Sequence, residues 1–98
     1  MTARMPRGLG YQGQKLWREV IAEYDLDSEP AKLRILFDAC KTADAVDELD
    51  KAAAKSPLTV RGSAGQEVIH PARSEARFTR GLLAQLLARL NFAPPEEC

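Results

Sequence analysis

Three arginines are spaced so that a helix would bring them to one side. Arg73, Arg77 and Arg80 stand at positions i, i+4 and i+7, which the helical period places in a single stripe. Guanidinium groups are always charged and present paired N–H donors, which suits contacts to phosphate oxygens. The stripe predicts a face that contacts the DNA backbone, although arginines on an ordinary solvated helix have the same spacing.

The N-terminal part adds a second basic element. The first 18 residues contain no acid, and residues 19–29 then contain five acids and no base. The predicted DNA-binding residues of this N-terminal part are Arg4, Arg7, Lys15 and Arg18. Residues 1–13 hold three glycines and no hydrophobic period, so we predict a flexible basic arm that follows DNA. The alternation of charge also suits head-to-tail self-association, in which the arginines of one copy pair with the acids of the next.

No catalytic or nucleotide-binding set is predicted. Residues 8–13 spell G-x-G-x-x-G, but the seven residues before them cannot supply the strand that aims such a loop, and the P-loop pattern lacks its Lys-Ser/Thr pair. His70, the single histidine, precedes Pro71 at a helix start, where capping is favoured over metal binding. Cys40 lies on an apolar helix face, which favours a buried thiol over a nucleophile. We therefore expect a protein that is not an enzyme and uses no metal and no cofactor.

The apolar spacing predicts a mainly α fold of three helices, one of them long, with a β-hairpin between the second and third. The helices are expected near residues 14–25, 30–54 and 72–91, and the hairpin at 58–69 around a glycine-rich turn. Ser28 is the expected N-cap of the second helix. The domain organisation is thus an arm at 1–13, a helical domain at 14–92 and a short tail at 93–98.

The core of so short a chain is thin, because it buries only about 60–65% of the surface that its unfolded form exposes. Tyr24 shares the apolar face of the first helix, and the other predicted core residues are Leu16, Trp17, Val20, Ile21, Leu36, Phe37, Cys40, Leu83 and Leu87. Leucines occupy more than one face of the third helix. We therefore predict a homo-oligomer larger than a dimer, with an interface at Leu82, Leu86 and Leu90.

Several features follow one another in a particular order. They are Lys15-Leu16-Trp17, an acid-rich break, Phe37-Asp38-Ala39-Cys40, a glycine-containing hairpin, His70-Pro71, and a helix ending in Leu-Asn-Phe-Ala-Pro. This order, over about residues 13–94, resembles that of the phage terminase small subunits. The resemblance implies a subunit that binds double-stranded viral DNA at the packaging start site and forms an oligomeric ring. It also implies a large terminase subunit, carrying the ATPase and nuclease, as partner in the host-cell cytoplasm.

Two other functions fit the same residues. One is a different phage or mobile-element DNA-binding regulator, and the other is a protein-binding adaptor whose charges only surround its interfaces. A steep fall of DNA affinity with salt separates both DNA-binding proteins from the adaptor. The lack of an apolar leader and of any long apolar run, together with a poor disulfide pattern, predicts an intracellular protein without a membrane span.

Overall fold

The fold was obtained as a computed structural model, which describes residues 3–90. Over this range the chain forms α1 (Tyr11–Glu23), α2 (Pro30–Ala54), β1 (Thr59–Arg61), β2 (Glu67–Ile69) and α3 (Pro71–Arg89). The prediction of a mainly α fold with a hairpin between the second and third helices is confirmed. The predicted tail at 93–98, and the predicted end of the third helix at Asn91, lie outside the described residues.

Helix α2 is the central element, because α1 and α3 both pack against it. Helix α3 runs antiparallel to α2: Arg73 near its start reaches Ala53, and Arg80 reaches Asp50. Burial of apolar side chains along these contacts is the main stabilising contribution. The buried cluster consists of Leu9, Trp17, Val20, Leu26, Leu36, Cys40 and Leu90.

The beginning of α1 is fixed by a carboxylate from α2. Asp44 accepts hydrogen bonds from the backbone N–H of Gly10, at 2.7 Å, and of Gly13, at 2.8 Å. These are the N-cap and third residues of the helix, whose N–H groups have no partner within it. A negative charge at this end of a helix is also stabilised by the helix dipole. Asp44 therefore caps α1 from a distant part of the sequence.

Residues 3–13, the described part of the arm predicted at 1–13, contact the helices instead of standing apart from them. Helix α1 already begins at Tyr11, and Leu9 is 7% exposed and belongs to the buried cluster. The Lys41 ammonium donates to the carbonyl of Gly8 at 3.4 Å. The segment before α1 is thus attached to α2 by these hydrogen bonds and to the core by the burial of Leu9. Neither contact produces a hydrophobic period in the sequence.

Glu29, not Ser28, is the N-cap of α2, and its side chain makes no capping hydrogen bond. Helix α1 ends at Glu23, so Tyr24 leaves the predicted buried face and is 40% exposed. The capping role of His70 is confirmed, since its Nδ1 accepts a hydrogen bond from the N–H of Ala72 at 3.0 Å.

The hairpin extends the molecule beyond the helices. Its strands pair antiparallel, with Val60 opposite Val68, and contact chiefly each other. Gly65 adopts a φ of +89° in the turn, a conformation that glycine reaches without steric cost. Leu58 and Ile69 remain exposed. The molecule is correspondingly elongated, with dimensions of 56 × 35 × 18 Å and a Cα radius of gyration of 17.1 Å.

Candidate nucleic-acid interface

The arginines of α3 are exposed, but two of the three contact α2. The Arg73 guanidinium donates to the carbonyl of Ala53 at 3.4 Å, and that of Arg80 pairs with the Asp50 carboxylate at 2.6 Å. Within residues 3–90, the Arg77 side chain makes no hydrogen bond or ion pair. Contacts with α2 therefore explain the presence of Arg73 and Arg80 in the predicted stripe, and no DNA contact is needed to explain them.

The outward side of α1 carries a second basic stripe. Lys15 and Arg18 are exposed, and over residues 3–90 neither has an ion pair or hydrogen-bond partner. Tyr11, which is 71% exposed, lies one turn before Lys15. These residues stand at i, i+4 and i+7, opposite the buried Trp17 and Val20. We call Tyr11, Lys15 and Arg18 the α1 face; two cations beside an exposed aromatic ring suit contacts to a nucleic-acid backbone and its sugars.

Lys15 and Arg18 are predicted DNA-binding residues, whereas the sequence gives no reason to place Tyr11 on the same surface. The apolar period starts only at Leu16, so the sequence places Tyr11 in the flexible arm. The signal that would have found it is its spacing of four residues from Lys15, but that spacing has meaning only if the helix begins before residue 14. The Asp44 cap supplies this earlier start.

The two remaining predicted cations, Arg4 and Arg7, are exposed on the segment before α1. Arg4 lines a groove between this segment, α1 and α2. The groove has a volume of about 370 Å³ and is otherwise lined by Ala3, Pro6, Trp17, Leu33, Arg34 and Phe37. We call it the Trp17 groove; it places Arg4 beside Arg34, which was predicted only as a solvated residue of α2.

The glycines of the G-x-G-x-x-G sequence serve helix packing. A Cβ atom added at Gly13 would overlap Asp44 Oδ2 and come within 2.8 Å of the Cys40 carbonyl oxygen. The helix N-terminus, which binds phosphate in nucleotide sites, already receives the Asp44 carboxylate. The prediction that this motif does not bind a nucleotide thus gains a physical reason.

The Cys40 thiol is fully buried, as predicted. Burial, and secondarily the negative charge of Asp44, raises its pKa from 9.0 to about 12. It therefore stays protonated near neutral pH, whereas the thiolate is the nucleophilic form. Among residues 3–90, no three His, Cys, Asp or Glu side chains are grouped so as to hold a metal ion.

The buried thiol predicts a specific loss of stability in alkali. Because the folded pKa of Cys40 exceeds the unfolded one, its contribution is complete below pH 9 and is lost as pH rises towards 12. Between pH 8 and 10.5, the wild-type free energy of unfolding should fall by about 2 kcal/mol more than that of Cys40→Ala. Urea unfolding followed by circular dichroism at both pH values measures this difference. Equal pH dependence in the two proteins would contradict it.

The exposed apolar residues of α3 differ from the predicted oligomer interface. Leu82 is 41% exposed as expected, but Leu86 is half-buried and Leu90 is fully buried in the core cluster. Leu90 is therefore wrong as an interface residue, because the end of α3 packs into the core. Phe78, one turn before Leu82, is 72% exposed and was missed. Phe78 and Leu82 together form an exposed apolar pair.

Comparison with known proteins finds no match: no protein-family model, no curated protein and no solved structure matches this chain. Within the described range, none of the helices combines the length and apolar character needed to cross a bilayer.

Proposed function

We propose that this chain is a non-catalytic subunit that binds double-stranded DNA, of the phage terminase small-subunit kind. The observation that carries the proposal is the α1 face, where Lys15 and Arg18 are exposed and lack partners within residues 3–90. Cations of this kind gain binding free energy by displacing counterions from DNA. The order of sequence features supports the more specific terminase assignment, with a large ATPase and nuclease subunit as second partner and the host-cell cytoplasm as location.

The contributions of the predicted cations to DNA binding differ. Lys15 and Arg18 need break no contact of the described chain to reach phosphate. Arg80 would have to leave Asp50, and Arg73 would leave the carbonyl of Ala53. We therefore assign the main phosphate contacts to the α1 face and a supporting contact to Arg77. Arg4 and Arg7 extend the basic surface from the segment that precedes α1.

Self-association is the second part of the proposal. Phe78 and Leu82 on α3, and Leu58 and Ile69 on the hairpin, expose apolar surface. Burying exposed apolar side chains against a partner is favourable. An isolated two-stranded hairpin is also only marginally stable in water. A second copy that covers these side chains would stabilise the hairpin. We propose a homo-oligomer larger than a dimer that uses this surface.

DNA binding by the α1 face is tested by removing its charge. In Lys15→Gln/Arg18→Gln, the slope of log K against log salt should flatten by about 1.8, because each lost phosphate contact removes about 0.9. Affinity should fall alike for unrelated duplex sequences, since phosphate contacts do not read bases. Fluorescence anisotropy with labelled duplexes at several salt concentrations measures both quantities.

The matched control is Arg73→Gln/Arg80→Gln, which removes the same charge from residues that contact α2. Its salt slope should stay closer to that of the wild type. The mass of every variant is measured by light scattering in the same buffer. A slope that changes only in the control would move the site to α3. DNA affinity that falls together with the assembled mass would assign these cations to a subunit interface, and DNA binding that is absent at low salt would favour the adaptor function.

A further inference from the structure

The two edges of the hairpin carry backbone groups that no described residue uses. The N–H of His70 donates to the carbonyl of Leu58 at 2.9 Å, and that of Gly62 donates to the carbonyl of Gln66 at 2.6 Å. Hydrogen-bonded and non-hydrogen-bonded pairs alternate along antiparallel strands, so every second residue points its N–H and C=O outward. Within residues 3–90, these outward groups have no hydrogen-bond partner. They belong to Thr59, Arg61, Glu67 and Ile69.

The two edges also carry opposite charges. Arg61 on β1 and Glu67 on β2 lie opposite each other in the register. Both are exposed, and over residues 3–90 neither side chain has an ion pair or a hydrogen bond. The strands contact chiefly each other, and no described helix packs along them. Open strand edges pair readily with a strand of another chain, and here the edge of β1 is complementary to the edge of β2.

We propose that β1 of one copy pairs antiparallel with β2 of the next copy, in the register that the two strands have within the hairpin. Arg61 then lies beside Glu67 of the next copy, and Val60 lies beside its Val68. The outward pairs Thr59–Ile69 and Arg61–Glu67 each exchange both N–H···O bonds across the junction. This pairing rests on the self-association proposed above and specifies one of its contacts.

The charges select this pairing over pairing between like edges. Two β1 edges joined about a two-fold axis place Arg61 beside Thr59, and two β2 edges place Glu67 beside Ile69. Each charge then lacks an opposite one, whereas opposite charges on directly paired residues stabilise a sheet. A contact between two different edges also leaves one edge free at each end, so copies add until a ring closes. This agrees with a homo-oligomer larger than a dimer.

Charge reversal on each edge tests the contact between chains. Arg61→Glu alone and Glu67→Arg alone each place like charges at every junction. Self-association should weaken by about tenfold in either variant, seen by sedimentation velocity as a shift of dissociation to higher protein concentration. An equal mixture of the two variants should assemble again, because positions 61 and 67 of alternating chains then carry opposite charges at every junction.

The mixture separates this contact from damage within one chain. Each single reversal also places like charges across the hairpin of its own chain, which mixing cannot repair. Recovery in the mixture therefore assigns the loss to the junction between copies. The matched control is Lys55→Glu, which reverses an exposed charge that follows α2 and lies outside the strands. Its self-association should equal that of the wild type, and circular dichroism confirms that each variant is folded.

Disulfide formation between chains tests the register. In a Cys98→Ser background, Val60→Cys chains are mixed with Val68→Cys chains. These positions form a non-hydrogen-bonded pair across the proposed junction, with Cα atoms about 4.5 Å apart. Cross-linked dimers on a non-reducing gel should appear about tenfold faster or more in the mixture than in either variant alone, because pairing raises the effective concentration of the two thiols. Cys40 does not compete, since it is fully buried.

Several results would overturn the edge pairing and leave the proposed oligomer standing. They are an assembly that neither charge reversal weakens, a mixture that does not assemble again, and a disulfide that forms faster in one cysteine variant alone, which indicates pairing of like edges. A wild-type chain that stays monomeric at every concentration would instead overturn self-association itself. None of these measurements uses DNA, so they are independent of the proposed DNA binding.

Discussion

Replacing Trp17 with alanine should lower the free energy of unfolding by about 3–5 kcal/mol, the usual cost of truncating a buried large aromatic residue. Trp17 is 5% exposed and belongs to the buried cluster that joins α1 to α2 and to Leu90. A chain of this length has a total stability of only about 5–15 kcal/mol. Urea unfolding followed by far-ultraviolet circular dichroism measures the loss without the tryptophan signal.

A second, milder variant keeps the prediction testable if Trp17→Ala does not fold. Trp17→Phe keeps an aromatic ring in the cluster, so its loss should be smaller, on the order of 1–2 kcal/mol. The two values together test whether stability follows the volume removed from the core. A loss below about 1 kcal/mol for Trp17→Ala would mean that Trp17 is not a core residue.

The Gly13→Ala variant should lose about 2–4 kcal/mol. The added Cβ would overlap the Asp44 carboxylate and come within 2.8 Å of the Cys40 carbonyl oxygen. Forced overlap in a packed site costs about 1–3 kcal/mol, and a weakened hydrogen bond to a charged group adds to this cost. Thermal and urea unfolding measure the change.

Gly81→Ala is the matched control for this prediction. Gly81 also lies within a helix, but a Cβ there would have no atom within 4 Å. Alanine should therefore stabilise α3 by about 0.5–1 kcal/mol, because it reduces the freedom of the unfolded chain. Opposite signs at the two glycines would attribute the Gly13 effect to Asp44. A stabilising Gly13→Ala would show that the cap does not require glycine.

The sequence predicts those parts of the fold that depend on local pattern. The face of α1 around Trp17, the long helix α2 and the hairpin all follow from apolar spacing and turn residues close together in the chain. The first turn of α1 does not, because its cap comes from Asp44, 31 residues after Gly13. The residues near Gly13 do not predict a hydrogen bond to a carboxylate so far away in the sequence. A segment read as flexible from its glycines is therefore packed against α2.

The candidate site shows the same limit. The spacing of Arg73, Arg77 and Arg80 correctly predicts exposed positions on one helix, but it cannot tell which of them contacts α2. That depends on how α3 lies along α2, which brings Arg80 to Asp50. Likewise, the helical period assigns Leu90 to an apolar face of α3, but it does not show whether that face packs in the core or lies on the surface. Both distinctions require the packing of the helices.

The elongated shape determines how this protein behaves in a size measurement. A radius of gyration of 17.1 Å is that of a compact protein of about 220 residues, more than twice the 98 residues of this chain. On a gel-filtration column calibrated with compact standards, a monomer should thus elute near the position of a dimer. Sedimentation velocity separates the two cases, because an extended monomer has a higher frictional ratio than a compact dimer.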